Sequence, residues 1–471
     1  MATAKSLLAR ALSCTNKLAQ QRFYYAYSPE PFHPLPDRKP EWLSPDDAVS
    51  CIKSNDKIYL HAVAATPIPL LDAMSSHCLS NGLKAIKLYH MHLMGPAPWN
   101  SPEFDGVIRS NCFHISPNLR DAVDEGRADY TSVFFSEIPL IFKKRLVELD
   151  LALISCSVPD HQGYCSLGTN VDCTRAAIKN AKRIVGVCNP QMPRTFGDGT
   201  IHESHFDALV YADFPLPEQS FTDVSDREKK IGELIANNLV ADGATLQFGI
   251  GNMPQTIMPL LRGHRDLGVH TEQFTDSLID LIEESVITNS RKKVFPGKVV
   301  ATFCLGTRRL YDYIDDNPLF MMCDVEFNND QQIIRQNPKV TSINAAIEVD
   351  ITGQVCADSI GHQFYSGFGG QIDFVRGATL CNDGQGRAII CLTSTTSNGE
   401  SKIVPQLKEG AGVVTTRAHV NYLVTEYGIA QLFGKNFRQR AYEIIQIAHP
   451  DHQEALEKEA FERLKAMPTP N

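Results

Sequence analysis

A single glutamate, Glu272, occupies a position in this sequence where a carboxylate could react with a bound ligand. Residues 267–270 have the apolar composition of a strand, and Glu272 follows at the carboxyl end of that strand. Open α/β sheets bind their ligands at this edge, because the loops that follow the parallel strands converge there. The sequence therefore predicts that the Glu272 side chain faces a ligand.

A glycine turn precedes this glutamate by one helix. Residues 245–248 have a strand pattern, Gly249 and Gly251 form a turn after it, and residues 254–263 have the pattern of a helix. Glycines let a ligand approach the main chain, so the turn suits a thioester or a phosphate-bearing ligand. A dinucleotide site is not indicated, because the third glycine of that fingerprint is missing and no suitably placed acidic residue follows.

Three further segments combine glycines with polar side chains that a core does not require: residues 160–169, 343–350 and 365–374. Main-chain N–H groups in such segments can stabilise a developing oxyanion, and the side-chain amide of Asn344 can add a donor. Each segment is equally compatible with an ordinary connecting turn. The residues alone therefore leave both interpretations open.

Length and composition exclude several classes of protein. The chain has 471 residues, of which 43% are hydrophobic and 21% charged, and this predicts a globular protein of two domains. Lys and Arg number 45 against 54 Asp and Glu, so we expect no nucleic-acid partner. No apolar stretch approaches the roughly 20 residues that cross a bilayer, so we expect no membrane span.

The cysteines and histidines do not predict a metal site. The chain has 13 cysteines, an odd number, and no Cys-x-x-Cys pair, which favours buried thiols in a reducing compartment over disulfides, zinc or iron–sulfur clusters. The pairs His90-x-His92 and His202-x-x-His205 have spacings that can ligate a metal. Neither has an evident third ligand, so we expect surface or packing roles for them.

Residues 1–28 are predicted to be a mitochondrial transit peptide. They contain no Asp or Glu, and Lys5, Arg10, Lys17 and Arg22 are spaced among leucines, alanines and serines that can form an amphipathic helix. The alternative is a weakly charged, frayed N-terminus. The transit peptide would place the protein in the mitochondrial matrix.

Strand-like and helical segments alternate along the rest of the chain, which predicts α/β domains with mostly parallel sheets. We predict two domains, residues 29–220 and 221–471, because Ser225 and Glu228 form a capping box that opens a new helix just after the boundary. The predicted strands are residues 57–60, 85–89, 151–154, 183–188 and 208–210 in the first domain, and 299–303, 321–325, 388–392 and 412–415 in the second.

Together these motifs resemble the acetyl-CoA hydrolase/transferase family, which includes 4-hydroxybutyrate, butyryl and succinyl:acetate CoA-transferases. The resemblance runs from about Leu43 to Glu459, and the chain departs from the family pattern at Ser366 and Phe433. It implies two CoA-transferase-type (NagB/RpiA-like) α/β domains with the active site in the cleft between them. The motifs that carry it are the turn at Gly249, His270-Thr271-Glu272, Asn344 with Glu348-Val349-Asp350, Gly367–Phe374 and Thr425–Ala430.

The same resemblance implies roles for particular residues. Glu272 would carry CoA as a glutamyl thioester, and Asn344 and the main-chain amide of Gly370 would stabilise the oxyanion. Acyl-CoA and short-chain carboxylates would be the substrates, and the protein is expected to form a homo-oligomer, either a homodimer or a higher oligomer. The residues implied to approach CoA or substrate are Gln247, Phe248, Gly249, Ile250, Gly251, Asn252, Ile347, Ser366 and Gly369.

The implied chemistry depends on the ionisation of Glu272. A glutamate near its reference pKa of roughly 4.3 is ionised at neutral pH and needs no general base to attack a thioester. Attack would lead through an acyl-glutamyl anhydride to a glutamyl-CoA thioester, and a second carboxylate would reverse these steps in ping-pong fashion. One thioester is broken as another forms, so we expect no cofactor, whether ATP, metal or redox group; CoA itself is a substrate.

Compartment and resemblance together favour acetyl-CoA or propionyl-CoA as donor and succinate as acceptor. Three alternatives stay open: transfer to 4-hydroxybutyrate or butyrate, acetyl-CoA hydrolysis through the same glutamate, and a non-catalytic CoA-binding protein.

Three further charged residues have more than one interpretation each. Glu137 is either a substrate contact or a helix-start or salt-bridge glutamate. Arg387 and Lys402 either pair with CoA phosphates or are solvated surface charges.

Overall fold

The computed structural model describes residues 30–219 and 224–471, and it contains two large sheets built from separate stretches of the chain. The predicted transit peptide, residues 1–28, lies outside the described residues. So does the predicted domain boundary at residue 220.

Ten strands lie between residues 41 and 211, and eight of them form one sheet. Every neighbouring pair in that sheet is parallel, and the strand order is β1-β10-β8-β6-β2-β3-β4-β5. The remaining two, β7 and β9, pair antiparallel with each other. In chain order the strands are β1 Glu41–Trp42, β2 Lys57–Leu60, β3 Ile86–His90, β4 Ile108–Cys112, β5 Asp129–Tyr130, β6 Leu151–Cys156, β7 Tyr164–Ser166, β8 Ile184–Cys188, β9 Thr200–His202 and β10 Ala208–Tyr211.

The second large sheet has six strands in the order β12-β11-β17-β22-β24-β25, and it is parallel except for the edge pair β24 and β25. The other strands of this part of the chain form short two- and three-stranded sheets. The strands are β11 Thr245–Phe248, β12 Gly268–Val269, β13 Gln273–Phe274, β14 Val299–Ala301, β15 Phe303–Cys304, β16 Phe320–Met322, β17 Thr341–Ala345, β18 Glu348–Asp350, β19 Val355–Cys356, β20 Ser359–Ile360, β21 Gln363–Phe364, β22 Arg387–Cys391, β23 Ile403–Val404, β24 Tyr422–Thr425 and β25 Gly428–Gln431.

Helices connect the strands in both parts of the chain. They are α1 Pro45–Val49, α2 Ile68–Ser80, α3 Arg120–Asp124, α4 Ile138–Lys143, α5 Thr174–Asn180, α6 Asp226–Leu239, α7 Asn252–Ile257, α8 Ser277–Glu283, α9 Arg308–Ile314, α10 Val325–Asn328, α11 Gln331–Ile334, α12 Gln371–Thr379, α13 Phe437–Gln446 and α14 Pro450–Leu464. None of the helices in the described part of the chain combines the length and the apolar character that a bilayer crossing needs.

Both faces of the first sheet are buried, as expected for parallel strands covered by helices. In β6, Leu151 and Leu153 belong to the apolar cluster on one face, and Ala152 and Ile154 belong to the cluster on the other. The second of these clusters continues into β11 and β17 of the other sheet. The two sheets therefore share one continuous apolar core.

Most predicted strands are confirmed, with ends shifted by one or two residues. The prediction over 299–303 is wrong in one respect, because Thr302 breaks the run: its N–H donates to the Glu272 carbonyl oxygen, and separate strands pair on either side. Residues 321–325 end as a strand at Met322, since Asp324 caps α10. The predicted strand 412–415 is wrong, because this segment makes only a single bridge, between Thr415 and Val355.

Both helices predicted near residues 225 and 254 are present in the structure. The capping box of Ser225 and Glu228 is confirmed at the start of α6. The helix predicted over residues 254–263 begins two residues earlier, at Asn252, and continues after α7 as a short 3₁₀ segment to Leu261. The turn before it needs a glycine, since Gly251 has φ 127°.

Candidate active site

A cavity of about 580 Å³ lies next to Glu272 and is lined by both parts of the chain. The first part contributes residues from the loops that follow β2, β3 and β4. The second part contributes the glycine turn after β11, the end of β17 and the segment 365–371. The cavity thus lies at the carboxyl ends of parallel strands, where the sequence predicted a ligand site.

The main chain of Glu272 is held in place from two sides. The N–H groups of Thr302 and Phe303 donate to the Glu272 carbonyl oxygen at 3.0 and 3.2 Å. The neighbouring Thr271 hydroxyl contacts both the N–H and the carbonyl of Phe248, each at 3.3 Å. The glutamate and the glycine turn after β11 are therefore fixed relative to each other.

Two N–H donors contact the half-buried Glu272 carboxyl group. Asn329 Nδ2 donates to Oε2 at 3.0 Å, and the main-chain N–H of Gly370 also donates to the carboxyl group. A Cβ atom at position 370 would lie 2.0 Å from Glu272 Oε2, so only glycine fits there without displacement. The family motif in the sequence implied Gly370 but not Asn329.

The orientation of the Asn329 amide is set by its neighbours. Asn328 Nδ2 donates to Asn329 Oδ1 at 2.8 Å and to the Thr271 carbonyl at 2.9 Å. His270 Nε2 in turn lies 2.7 Å from the Asn328 carbonyl oxygen. Because the Asn329 oxygen is occupied by a donor, its NH₂ group must face Glu272.

A second carboxyl group, Asp373 in the first turn of α12, lies behind this contact and is buried. Asn329 Nδ2 is 3.4 Å from Asp373 Oδ2, and the Ser136 hydroxyl donates to Oδ1 at 2.9 Å. Burial raises the pKa of Asp373 to about 7, and the charge of Glu137 adds to the effect. The two carboxyl groups therefore share one amide donor.

This environment contradicts the expectation that Glu272 is ionised at neutral pH. Burial, and secondarily the charge of Asp373, raises the pKa of Glu272 to about 8, against the lowering effect of the Asn329 and Gly370 hydrogen bonds. With this pKa the carboxyl group is mostly protonated at pH 7. It must lose this proton before it can attack.

Replacing Asp373 with asparagine should shift the pH dependence of the reaction. The substitution removes a negative charge that raises the pKa of Glu272, so Glu272 should ionise at lower pH. We expect the acidic limb of the kcat/KM profile, which rises with pH as Glu272 deprotonates, to move to lower pH. Asp312→Asn, at an exposed ion pair on α9, is the control. An unmoved limb in Asp373→Asn would show that Asp373 does not tune Glu272.

Asn344 lines the cavity, but its amide is already engaged by protein groups. Its Nδ2 donates to Gln247 Oε1 at 3.0 Å and to the Ser342 hydroxyl at 2.9 Å, and its Oδ1 accepts from Gln247 Nε2 at 3.1 Å. Both hydrogens are therefore in use. Asn344 can donate to an oxyanion only if it releases Gln247 or Ser342.

Ten of the twelve predicted site residues line the cavity, and two do not. Gly251 and Asn252 cap and begin α7 and lie outside the lining. The ten lining residues are Gln247, Phe248, Gly249, Ile250, Glu272, Asn344, Ile347, Ser366, Gly369 and Gly370.

The other charged candidates lie away from the cavity lining. Glu137 is exposed near Asp373, and Arg387 donates to the Asn238 carbonyl oxygen at 2.9 Å. Lys402 is half-buried, and burial lowers its pKa. The structure thus gives Arg387 and Lys402 no contact with the predicted CoA site.

The histidine pairs have separate environments. His90 is buried and bonded to the Met91 carbonyl oxygen and the Ser110 hydroxyl. His202 and His205 contact carbonyl oxygens of neighbouring loops. His92 differs from the other three in lining the cavity, a position that its spacing in the sequence did not predict.

The prediction of buried thiols is confirmed for the described cysteines. Twelve are free, and all of these except Cys51 are buried. Cys156, Cys165 and Cys188 bring their sulfur atoms within 4.8 Å of one another, beside β6 and β8. None of these three lines the cavity.

Comparison with known proteins gives matches over both parts of the chain. The profile of the acetyl-CoA hydrolase/transferase N-terminal domain matches residues 37–217, and that of the C-terminal domain matches residues 306–460. A succinyl-CoA:acetate/propanoyl-CoA:succinate CoA transferase from Fasciola hepatica is 53% identical over 95% of this chain and 94% of its own length.

More distant relatives also match across most of the chain. A 4-hydroxybutyrate coenzyme A transferase from Clostridium kluyveri is 40% identical over 90% of this chain and 98% of its own length. The crystal structure of RipA from Yersinia pestis superposes with a TM-score of 0.84 at 32% identity, covering 90% of this chain and 98% of that one.

Proposed function

This chain belongs to the acetyl-CoA hydrolase/transferase family and is a CoA-transferase, and we propose that it moves CoA from acetyl-CoA or propionyl-CoA to succinate through Glu272. The observation that carries the proposal is the Glu272 carboxyl group, which lines the cavity between two N–H donors. The choice of substrates rests on the 53% identity to the Fasciola hepatica transferase.

The proposed reaction begins when Glu272, after losing its proton to solvent, attacks the acyl-CoA carbonyl carbon. The C–S bond breaks, CoA leaves as a thiolate, and an acyl-glutamyl anhydride remains. The thiolate then attacks the glutamyl carbonyl and releases the first carboxylate. CoA is now a thioester on Glu272.

An acceptor carboxylate reverses these steps. Its oxygen attacks the glutamyl carbonyl and expels the thiolate, which then attacks the acceptor acyl carbon and frees Glu272. The Gly370 N–H and the Asn329 amide, which contact the Glu272 carboxyl group, would stabilise negative charge on the glutamyl oxygen at each tetrahedral stage. The pair that contacts Glu272 thus includes Asn329 where the sequence implied Asn344.

We further propose that the reaction needs no ATP, metal or redox cofactor. Each cycle exchanges one thioester for another, so the free energy of the broken bond is retained in the one that forms. The remote parts of CoA supply binding energy that can orient the thioester at Glu272.

An acceptor screen tests the proposed substrates. The purified protein is incubated with acetyl-CoA or propionyl-CoA and with succinate, acetate, butyrate or 4-hydroxybutyrate, and the acyl-CoA products are measured by mass spectrometry. We expect succinyl-CoA to form fastest, with little free CoA released in the absence of an acceptor. Rapid CoA release without acceptor would indicate a hydrolase. Faster formation of another thioester would identify the corresponding acid, and not succinate, as the preferred acceptor.

We propose a mitochondrial matrix location on the composition of residues 1–28, which hold four basic and no acidic side chains. Fusing this segment to a fluorescent reporter tests the proposal. We expect import and cleavage, and a reporter that stays in the cytosol would contradict the targeting role.

A further inference from the structure

The cavity next to Glu272 contains one basic side chain of fixed charge. Among the described residues that line it, only Glu272 and Arg120 belong to the acidic and basic types Asp, Glu, Lys and Arg. The rest of the lining is apolar, glycine or neutral polar, apart from His92 and His114. A negatively charged group that enters the cavity therefore meets Arg120 as its one permanent countercharge there.

Arg120 is held in one orientation by Tyr365. Its Nε donates to the Tyr365 carbonyl oxygen at 2.9 Å, and the guanidinium carbon lies 3.6 Å from the centre of the Tyr365 ring. Its Nη1 and Nη2 groups have no hydrogen-bond acceptor among residues 30–219 and 224–471. The two terminal nitrogens are therefore available to a ligand, and their fork suits a carboxylate.

His92 and His114 stand beside Arg120 with unused ring nitrogens. The two rings lie 6.1 Å apart, and neither forms a hydrogen bond to any other residue that the structure describes. Burial, with a contribution from the Arg120 charge, lowers the pKa of His92 to about 4 and that of His114 to about 3. Both imidazoles are neutral at pH 7, and each offers one N–H donor. We call these three residues the basic cluster.

One short segment connects the basic cluster to Glu272. The Tyr365 carbonyl contacts Arg120, and a Cβ atom at position 367 would lie 3.1 Å from His114 Nδ1. At the other end of the segment, the Gly370 N–H donates to Glu272. Residues 365–370 thus form one wall of the cavity, with the cluster at its start and the reacting carboxyl group at its end.

We propose that the basic cluster binds the remote carboxylate of a dicarboxylic acid substrate while the other carboxylate reacts at Glu272. This inference rests on the proposed function and adds the group that would select a dicarboxylate. A buried carboxylate is costly unless it is paired, and a bidentate contact with Arg120 would provide the pair. A monocarboxylate such as acetate has no group to place there.

The test is the substitution Arg120→Met, which removes the charge and keeps an unbranched side chain. We expect KM for succinate to rise by about 10-fold or more, because a charge-assisted hydrogen-bonded pair is lost. KM for acetate as acceptor and KM for acetyl-CoA should stay within about 2-fold. Arg120→Lys keeps the charge but loses the fork, so its succinate KM should lie between those of the wild type and Arg120→Met.

Arg309→Met, at an exposed ion pair on α9, is the matched control and should leave every KM unchanged. An equal rise in KM for succinate and for acetate in Arg120→Met would overturn the proposal, and so would an unchanged KM for succinate. A rise in KM for the acyl-CoA alone would assign Arg120 to a CoA phosphate instead. If Arg120→Met does not fold, His114→Phe takes its place. We then expect a smaller rise in KM for succinate, again with KM for acetate and for acetyl-CoA nearly unchanged. Failure of the proposed function is distinguishable, since it appears in the wild type as an absence of succinyl-CoA.

Discussion

Replacing Glu272 with alanine is expected to lower kcat for CoA transfer by about 10⁴-fold or more. The proposed reaction forms its covalent intermediate on this side chain, and Glu272 is the one Asp or Glu side chain in the described cavity lining. The remaining donors, the Asn329 amide and the Gly370 N–H, can bind an oxyanion but cannot accept CoA. Steady-state transfer from propionyl-CoA to succinate measures the loss.

Mass spectrometry of the intact protein distinguishes loss of the nucleophile from loss of the fold. Incubation with acyl-CoA should add the mass of CoA, less one water, to the wild type and to the control Glu233→Ala, whose residue is exposed on α6. Glu272→Ala should gain no mass and should retain a cooperative thermal transition. A variant that keeps wild-type turnover would remove Glu272 from the mechanism.

The pH dependence of stability provides a second readout. The pKa of Glu272 is raised in the folded protein from 4.5 to about 8, so its protonated form stabilises the fold at low pH. That contribution is lost as the pH rises through this interval. We therefore expect the Tm of the wild type, relative to Glu272→Ala, to fall between about pH 5 and pH 8.

Local patterns were sufficient to predict the elements that carry Glu272. The strand β11, the glycine turn and the position of Glu272 after an apolar strand follow from spacing over about 25 residues. The edge pair β24 and β25 was not predicted as strands, although its residues lie within one of the family motifs. The alternation of apolar and polar residues in this segment is short. Whether such a segment pairs as an antiparallel edge strand depends on which strand lies beside it.

The residues that set the reactivity of Glu272 could not be found in this way. Asn329 and Asp373 lie 57 and 101 positions after the glutamate and reach it only through the packing of α10 and α12. The pKa of Glu272 was wrongly expected to be ordinary for the same reason. It depends on burial and on the Asp373 charge, and neither leaves a pattern in the sequence.

The basic cluster shows the same limit. Arg120 begins α3, His92 follows β3 and His114 follows β4, so the three residues lie on separate segments of the sequence. They come together because β3 and β4 are parallel neighbours whose ends meet at one edge of the sheet. A parallel order of strands was predicted, but which strands are adjacent was not.

Gly370→Ala is expected to reduce kcat by about 100-fold or more while changing Tm little. The added Cβ atom would lie 2.0 Å from Glu272 Oε2 and 2.2 Å from Asn329 Nδ2, so the carboxyl group, the amide or both must move. The backbone itself accepts alanine, because Gly370 has φ −99° and ψ 13°. The damage is therefore confined to the contacts that the proposed mechanism uses.

The adjacent Gly369→Ala is the matched control, because we expect it to change Tm rather than kcat. Gly369 has φ 55°, so alanine there costs about 1 kcal/mol of stability, but its Cβ would lie 3.9 Å from Glu272 Oε1, an ordinary contact distance. We expect Gly369→Ala to lower Tm and to keep kcat within about 5-fold of the wild type. If Gly370→Ala keeps wild-type kcat, or if both variants lose activity only in proportion to stability, the close approach of position 370 to Glu272 does not contribute to catalysis.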